Sequence, residues 1–347
     1  MNTDKNMPCI LLDREFNIIS TDEQIQKKYP RLCSSDYIRS LMAGYTAEDF
    51  TEFRLINTAV LNSGKAHLAA FADGDFIRCY VLTSNISTVT ERQKLINYQM
   101  REPVSSIFAL LPVITDNINR GDSDKAIMYM DGIHSKSYKL LRNITNISIA
   151  EKIMDNTDFH TEKINLSSLL NSLVTSVMTV EKNVEIDCET EDNIIISGNL
   201  NLITNGILNL FANSFDYRQD GKTHIRIRLS ARNKTAVFTY SDDSKGIKEE
   251  FQPYVFSPYF SKDPYADGEA DPSLGLGLFI TKTAFTHAGA ALLLSSEFGK
   301  GVKYSASFPV CESDGSVLKS TATDFLLNRY SEVFVQLCDS CRLPSLR

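Results

Sequence analysis

Two asparagines lie four positions apart in the segment Asn209-Leu-Phe-Ala-Asn213, inside a stretch that is predicted to be helical. This spacing places both amides on one face of a helix. An amide oxygen is a neutral ligand for a hard cation such as Mg²⁺, which keeps most of its waters and bridges to phosphate. By itself, the pair is better explained as a polar helix face or a helix cap.

A predicted strand ends in a carboxylate in the segment Tyr240-Ser-Asp242-Asp-Ser-Lys-Gly246-Ile247, and the chain then turns at a glycine. A carboxylate at this place can accept a hydrogen bond from the amino group of adenine. An Asp-rich turn without any ligand is the simpler alternative.

Two glycines precede a predicted helix in Ser273-Leu-Gly275-Leu276-Gly277-Leu278. Glycines at a helix N-terminus let backbone N–H groups approach phosphate oxygens, and the helix dipole favours the negative charge. A single Gly-x-Gly is weak support, so the order and separation of the three segments matter more than any one of them.

Together the three segments resemble the N box and the two glycine boxes of the ATP-binding domain (GHKL or HATPase) that sensor histidine kinases share with gyrase-type ATPases. The resemblance covers residues 158–310. Val255-Phe-Ser-Pro-Tyr-Phe260 is similar to the phenylalanine box, and Gly289, Ser296–Gly301 and Phe308-Pro309 are similar to the closing strands. The resemblance implies an α/β sandwich with ATP and Mg²⁺ as cofactors.

The resemblance also implies a role for each motif residue. Asn213 would bind Mg²⁺ with help from Asn209, and Asp242 would bind adenine. The other nucleotide-binding positions would be Gly246 and Ile247 at the base and, at the phosphates, Gly275, Leu276, Gly277 and Leu278. Residues 261–274 would form a mobile lid.

Two residues depart from the family pattern. Ser244 replaces the first glycine of the first glycine box, which costs about 1 kcal/mol if that position requires a positive φ. Asp216 stands where the family often has a basic residue, and its charge would repel a triphosphate unless Mg²⁺ or Lys262 offsets it. We therefore expect ATP binding to be retained, and these two positions are where it could be weakened.

Residues 91–157 contain few glycines, and their apolar residues recur at helical spacing. A break at 119–124, with Ser123 or Asp124 as the N-cap, predicts a helical hairpin. Its wide apolar face predicts a four-helix bundle formed by two chains, and hence a homodimer.

The first helix of this hairpin carries His-Glu-x-Arg-x-Pro-Leu in the family, but this chain has Tyr98-Gln99-Met-Arg101-Glu-Pro103-Val. Tyr98 thus stands at the position of the phosphoacceptor histidine, and Gln99 stands at the position of the general base. The neutral amide of Gln99 cannot take up a proton. No catalytic residue is therefore certain. Tyr98 and His134 of the second helix are the alternative acceptors, but an amphipathic surface residue and a core histidine explain them more simply.

Residues 1–90 are predicted to form a small α+β domain. The predicted strands are 9–13, 17–20 and 76–83, and the predicted helices are 23–28 and 47–63. Its two ends, near 10–19 and 86–92, loosely resemble those of a PAS domain, although another small α+β fold is left open. In the third region we expect helices at 166–180, 200–215 and 276–287 and strands at 223–229, 236–241, 291–296 and 302–310.

Residues 311–347 are predicted to form a polar linker and one apolar helix at 323–337. Cys338-Asp-Ser-Cys341 has the spacing of a metal or redox site, but a zinc site of four ligands needs a second pair. Scattered cysteines in a chain of this composition are expected to be reduced thiols.

The net charge of −7 and the lack of a basic stripe argue against nucleic-acid binding. The densest basic stretch, 224–228, alternates with apolar residues and predicts a strand with one solvated face. No segment approaches the roughly 18 consecutive apolar residues of a membrane span. Without a signal peptide at the N-terminus either, the prediction is a cytoplasmic protein.

The sequence thus predicts an α+β multidomain signalling protein of the sensor histidine kinase family. Its parts are a PAS-like domain (1–90), a dimerising hairpin (91–157), an ATP-binding domain (158–310) and a tail (311–347). It would bind Mg-ATP without an acceptor histidine, as a pseudokinase, and act on a response regulator or another signalling protein. The alternatives are an active kinase that uses another acceptor or acts in trans, and a GHKL-type ATPase.

Overall fold

A computed structural model describes residues 9–42, 47, 50, 54–61, 64–83, 89–219, 221–249, 251–260, 273–312, 321–339 and 341. Residues 261–272 of the predicted lid, including Lys262, and residues 86–88 of the predicted PAS-like end lie outside the described residues.

The N-terminal module is built on short antiparallel strands. Its elements are β1 Cys9–Leu12, β2 Ile18–Thr21, α1 Glu23–Lys28, α2 Ser35–Leu41, β3 Arg54–Leu61, β4 Gly64–Asp73 and β5 Phe76–Thr83. The helix predicted at 47–63 is wrong for residues 54–61, the longest described part of that range, because these residues form β3. The backbone of β3 pairs with β4 from Leu55↔Ala70 to Leu61↔Gly64, and these non-local hydrogen bonds outweigh a weak helical periodicity.

The predicted helical hairpin is confirmed: α3 spans Val89–Asn119 and α4 spans Ser123–Met154. The N-cap of α4 is Asp122, not Ser123 or Asp124, because the Asp122 carboxylate accepts a hydrogen bond from the Lys125 N–H, three residues ahead. Many large apolar side chains of the hairpin are exposed in the single chain: Val104, Phe108, Leu111, Val113, Ile118, Ile127, Met128, Met130 and Ile144.

In the part of the third region that the structure describes, three α-helices lie over mixed strands. The helices are α5 Leu166–Val180, α6 Leu200–Asp216 and α7 Gly277–His287, each within one residue of its predicted bounds. The strands are β6 Glu162–Asn165, β7 Val184–Thr190, β8 Ile195–Gly198, β9 Thr223–Arg232, β10 Thr235–Asp242, β11 Ala291–Ser296 and β12 Val302–Pro309. The strands β6, β7 and β8 were not predicted from the sequence. Alternate burial along β9 confirms that its basic residues lie on a solvated face.

One sheet connects the first and third regions. Its strand order is β2-β1-β5-β4-β3-β11-β12-β10-β9-β7, with β3 and β11 paired antiparallel at Leu55↔Leu293 and Arg54↔Leu294. Because strand residues alternate between faces, Leu292 and Leu294 lie in the core of the third region. Leu293 lies in the core of the N-terminal module. The two modules therefore share a backbone junction as well as the connection through α3.

The tail forms two short helices, α8 Ala322–Leu326 and α9 Glu332–Leu337, so the single helix predicted at 323–337 is wrong. Side chains between them bind the backbone locally. Asn328 Oδ1 accepts from the Tyr330 N–H (2.9 Å), and the Ser331 hydroxyl donates to the Phe325 carbonyl (2.5 Å). Such bonds compete with helical backbone bonds and interrupt the helix.

Among the residues that the structure describes, no helix is both long enough and apolar enough to cross a membrane.

Candidate functional site

A cleft opens where the end of α6, the loop after β10 and the start of α7 meet. Residues 251–260 form part of its wall. It is lined by Asn213, Tyr217, Asp242, Ser244, Lys245, Gly246, Ile247, Lys248, Phe251, Val255, Phe260, Ser273, Gly275, Gly277, Leu278, Phe298, Val302 and Tyr304. Three segments that are far apart in the sequence thus converge at one place.

Most of the residues singled out in the sequence lie in this lining: Asn213, Asp242, Gly246, Ile247, Gly275, Gly277 and Leu278. Asn209 and Leu276 do not. Asn209 is fully buried behind the lining, and Leu276 precedes α7 with its side chain in the core.

Asp242 is held by hydrogen bonds at both carboxylate oxygens. Oδ1 accepts from the N–H groups of Ser244 (3.0 Å) and Val302 (3.3 Å), and Oδ2 accepts from the Ser214 hydroxyl (2.5 Å). Since a carboxylate has about four lone-pair sites, one more donor can still be accepted. The side chain is therefore a fixed acceptor on the wall of the cleft.

At two positions of the cleft, the backbone conformation can be adopted readily only by glycine. Gly246 and Gly275 have φ values of +68° and +65°, which L side chains rarely adopt. A Cβ at either position would also collide with a backbone carbonyl, that of Glu297 or Phe260 respectively. Both glycines thus allow close backbone approach at the cleft.

The buried amide of Asn209 has unmet hydrogen bonds. Within the described part of the chain, neither its Oδ1 nor its Nδ2 has a partner. A Cβ added to Gly277, which lines the cleft, would lie 2.9 Å from Asn209 Oδ1. A buried amide left unsatisfied costs about 1–3 kcal/mol, so a polar group entering here would be favoured. This geometry fits a hydrated cation or a phosphate at the α7 N-terminus.

The structure shows how the two residues that depart from the family pattern are accommodated. Ser244 is not among the residues of positive φ, so the expected strain does not arise, and its N–H binds Asp242. Asp216 is the last residue of α6, and its Oδ2 accepts a hydrogen bond from the Arg142 guanidinium of α4 at 3.1 Å. Its charge is therefore offset from the hairpin, a contact that the sequence did not indicate.

Several lining residues were not predicted, and two of them are cations. Lys245 and Lys248 flank Gly246, and the Lys248 ammonium lies 5.6 Å from the centre of the Phe298 ring. A search for basic residues beside the glycine would have found both. Tyr217 also lines the cleft and forms a side-chain hydrogen bond with Ser273.

The phenylalanine-box segment divides its side chains between the cleft and the core. Val255 and Phe260 line the cleft, and Phe256 is fully buried. The rings of Tyr254 and Phe260 are stacked with centroids 5.6 Å apart. This aromatic packing fixes the Phe260 carbonyl against which Gly275 fits.

Tyr98, which the sequence resemblance places at the family's phosphoacceptor position, lies on α3 outside the cleft lining. Tyr98 is 53% exposed, whereas Gln99 is buried and its backbone carbonyl accepts a hydrogen bond from Asn143. Glu102, one turn after Tyr98, binds Lys136 (2.8 Å). Burial by itself raises the pKa of Glu102, but its hydrogen bond with Lys136 and the other interactions outweigh burial and lower the pKa. Glu102 is accordingly a poor base.

Both cysteines of the Cys338-Asp-Ser-Cys341 segment are buried in the tail. Burial raises the pKa of Cys338 to about 12 and also raises the pKa of Cys341, so the thiolates that metal binding or redox exchange requires are disfavoured. No group of three or more metal-binding side chains occurs in the described ranges.

Comparison with known proteins agrees with this fold. Residues 198–312 match the family described as histidine kinase-, DNA gyrase B- and HSP90-like ATPases. The chain thus contains a domain of this family, here called the ATPase domain, and is similar to sensor histidine kinases, which confirms the resemblance seen in the sequence and the mixed α+β fold class.

Individual relatives are distant. The chain is 24% identical over 216 residues to the sensor protein KdpD of Clostridium acetobutylicum, which covers 62% of this chain and 24% of that protein. It is 22% identical over 260 residues to sporulation kinase B of Bacillus subtilis, 74% of this chain and 58% of that protein. The chain thus spans less than two thirds of either relative. A solved structure, the Acinetobacter baumannii histidine kinase AdeS, aligns over 62% of this chain and 98% of its own with 11% identity and a TM-score of 0.45.

Proposed function

We propose that this chain is a signalling protein of the sensor histidine kinase family that binds Mg-ATP in the cleft but does not phosphorylate itself. The observation that carries the proposal is the convergence on one cleft of the Asp242 acceptor, the α6 asparagines and the glycine-bounded N-terminus of α7. Its partner would be a response regulator or another signalling protein, with residues 1–90 as a PAS-like sensory module.

Each group in the cleft has a part in this binding. Asp242 would accept a hydrogen bond from the adenine amino group, beside Gly246 and Ile247. The backbone of Gly275, Leu276, Gly277 and Leu278 would hold the phosphates at the positive end of the α7 dipole. Asn213 would bind Mg²⁺ with support from Asn209, and the cation would neutralise and bridge phosphate oxygens.

The absence of self-phosphorylation follows from the hairpin. Tyr98 is an exposed phenol, and a phenol attacks phosphorus readily only when a base takes its proton. Gln99 cannot take its proton, and Glu102 is engaged by Lys136 and Ser106. A pseudokinase would therefore act by conformational coupling to its partner.

Calorimetric titration of the full chain with ATP tests the proposal directly. We expect saturable binding in the presence of Mg²⁺ and weaker binding in EDTA, since the cation screens the triphosphate from nearby carboxylates. A chain that remains folded yet gives no binding heat under either condition would contradict the proposal.

The hairpin is proposed to dimerise two chains into a four-helix bundle. Ile144 of α4 is 47% exposed in the single chain, so a charge there costs little in a monomer but would be buried in the bundle. We expect Ile144→Glu to convert the dimer to a monomer by light scattering. Met178→Glu on α5, where the side chain is 46% exposed, is the matched control and should leave the dimer intact. A monomeric wild-type chain would reject this arrangement.

A further inference from the structure

The tail helix α9 joins the hairpin to the ATPase domain through one fully buried side chain. Gln336 Nε2 donates to Asn146 Oδ1 on α4 and to Asn205 Oδ1 on α6, both at 2.9 Å. A single side-chain amide of the tail therefore links α4 to α6. Buried polar contacts of this kind specify one arrangement, since each is costly to leave unmade.

A buried arginine makes a second link at the same junction. Arg142 of α4 donates from one terminal nitrogen to both Asp339 oxygens (2.9 and 3.2 Å) and from the other to Asp216 Oδ2 (3.1 Å). Burial by itself lowers the pKa of Arg142, but the carboxylates of Asp339 and Asp216 outweigh burial and hold the pKa above its usual value. The guanidinium is thus shared between the tail and the end of α6.

Apolar side chains of the tail pack into the core that α4 and α6 share. Val333, Leu337 and Cys338 are completely buried, in the same core as Ala150 of α4 and Leu208 of α6. Two tail carbonyls add hydrogen bonds to α4, from the Ser135 hydroxyl to Asp339 and from the Tyr138 hydroxyl to Arg329, both at 3.1 Å. The tail is therefore an integral part of the contact between the hairpin and the ATPase domain.

The charge of Asp216 connects this contact to the cleft. Asp216 lies three residues after Asn213 and directly before Tyr217, and both of these neighbours line the cleft. If Arg142 withdrew, Asp216 would lose this counter-charge next to a site proposed for a triphosphate. Like charges at this range repel, so the affinity for an anionic nucleotide would fall.

We propose that the C-terminal tail is a latch that holds the hairpin against the ATPase domain and thereby keeps Arg142 of the hairpin beside Asp216. The latch itself stands on the contacts of α9. Its coupling to nucleotide affinity rests on the proposed function. Because such coupling is reciprocal, bound ATP should tighten the latch, and release of the latch should weaken ATP binding.

The test is Asp339→Asn in the full chain, a substitution that keeps the shape of the side chain and removes its charge. We expect hydrogen exchange of the α9 amides to rise roughly tenfold, because exchange reports local opening, while β9–β12 remain protected. Asp131→Asn is the control, an exposed carboxylate on the same helix as Arg142, and should leave exchange unchanged.

A second variant protects the test against general unfolding. Gln336→Met keeps most of the volume, removes both buried hydrogen bonds and changes no charge. It should loosen α9 and lower ATP affinity several-fold, because Arg142 then withdraws from Asp216. By contrast, adenosine, which carries no phosphate, should bind equally to all of these variants.

Unchanged α9 exchange in both Asp339→Asn and Gln336→Met would overturn the latch. Faster α9 exchange in Gln336→Met with unaltered ATP affinity would overturn the coupling. If the wild-type chain binds no ATP, the proposed function fails, and the exchange measurements alone then decide for or against the latch.

Discussion

ATP binding should weaken about ten- to a hundredfold when Asp242 is replaced by asparagine, the range that the loss of a buried hydrogen bond to a charged group gives. The Oδ1 atom of the new amide can still accept from the N–H groups of Ser244 and Val302. The Ser214 hydroxyl, which donates to Asp242 in the wild-type chain, can turn its proton to the Leu210 carbonyl and accept from the amide nitrogen instead. The fold is thus retained, while an N–H₂ donor now faces the amino group of adenine.

Calorimetry on Asp242→Asn and on Asp243→Asn measures this effect. The neighbouring Asp243 carboxylate accepts from the His224 N–H and does not belong to the cleft lining, so its substitution should leave ATP affinity unchanged. Equal affinity of wild type and Asp242→Asn would show that adenine is bound elsewhere.

Self-labelling with ATP should be absent in the wild-type chain and should appear when Tyr98→His and Gln99→Glu are combined. Imidazole has a usual pKa of about 6.5, so much of it is an uncharged nucleophile near neutral pH. The carboxylate at position 99 supplies the base that the amide cannot. Because Gln99 is 1% exposed, burial would raise the pKa of this carboxyl group, and labelling should increase with pH as the group ionises.

The label on the double variant should be acid-labile and base-stable, as expected for a phosphoryl group on imidazole nitrogen. Tyr98→Phe with Gln99→Glu is the matched control: it has the base but no nucleophile and should remain unlabelled. Ready labelling of the wild-type chain, mapped to Tyr98 or His134, would show that the proposed loss of self-phosphorylation is wrong.

Local periodicity was sufficient for the helices of the ATPase domain. In Leu166–Val180 and Leu200–Asp216, apolar residues recur at helical spacing, and the capping residues Asn165 and Asn199 accept from the first helical turn. These signals lie within a few residues of one another. For that reason the bounds agree with the sequence-based prediction to within one residue.

Apolar periodicity failed at two places, for different reasons. Residues 54–61 carry apolar side chains at spacings that also suit a helix, but their backbone pairs with β4 and β11, which are distant in the sequence. The tail residues 323–337 look continuous in the sequence, but a local hydrogen bond from the Ser331 hydroxyl to the Phe325 carbonyl accompanies a break into two helices. These two helices pack on α4, α5 and α6.

By itself, the sequence determined the chemistry of the candidate site, because residue type and spacing specify an acceptor at Asp242, amides at Asn209 and Asn213, and glycines before α7. It also placed Asp216 beside that site, but as a repulsive charge. Only the tertiary structure decided how that charge is met, since Arg142 lies 74 positions away and Asp339 lies 197 positions from Arg142. Electrostatic interactions depend on distance in space, and the packing of α9 between hairpin and domain sets that distance.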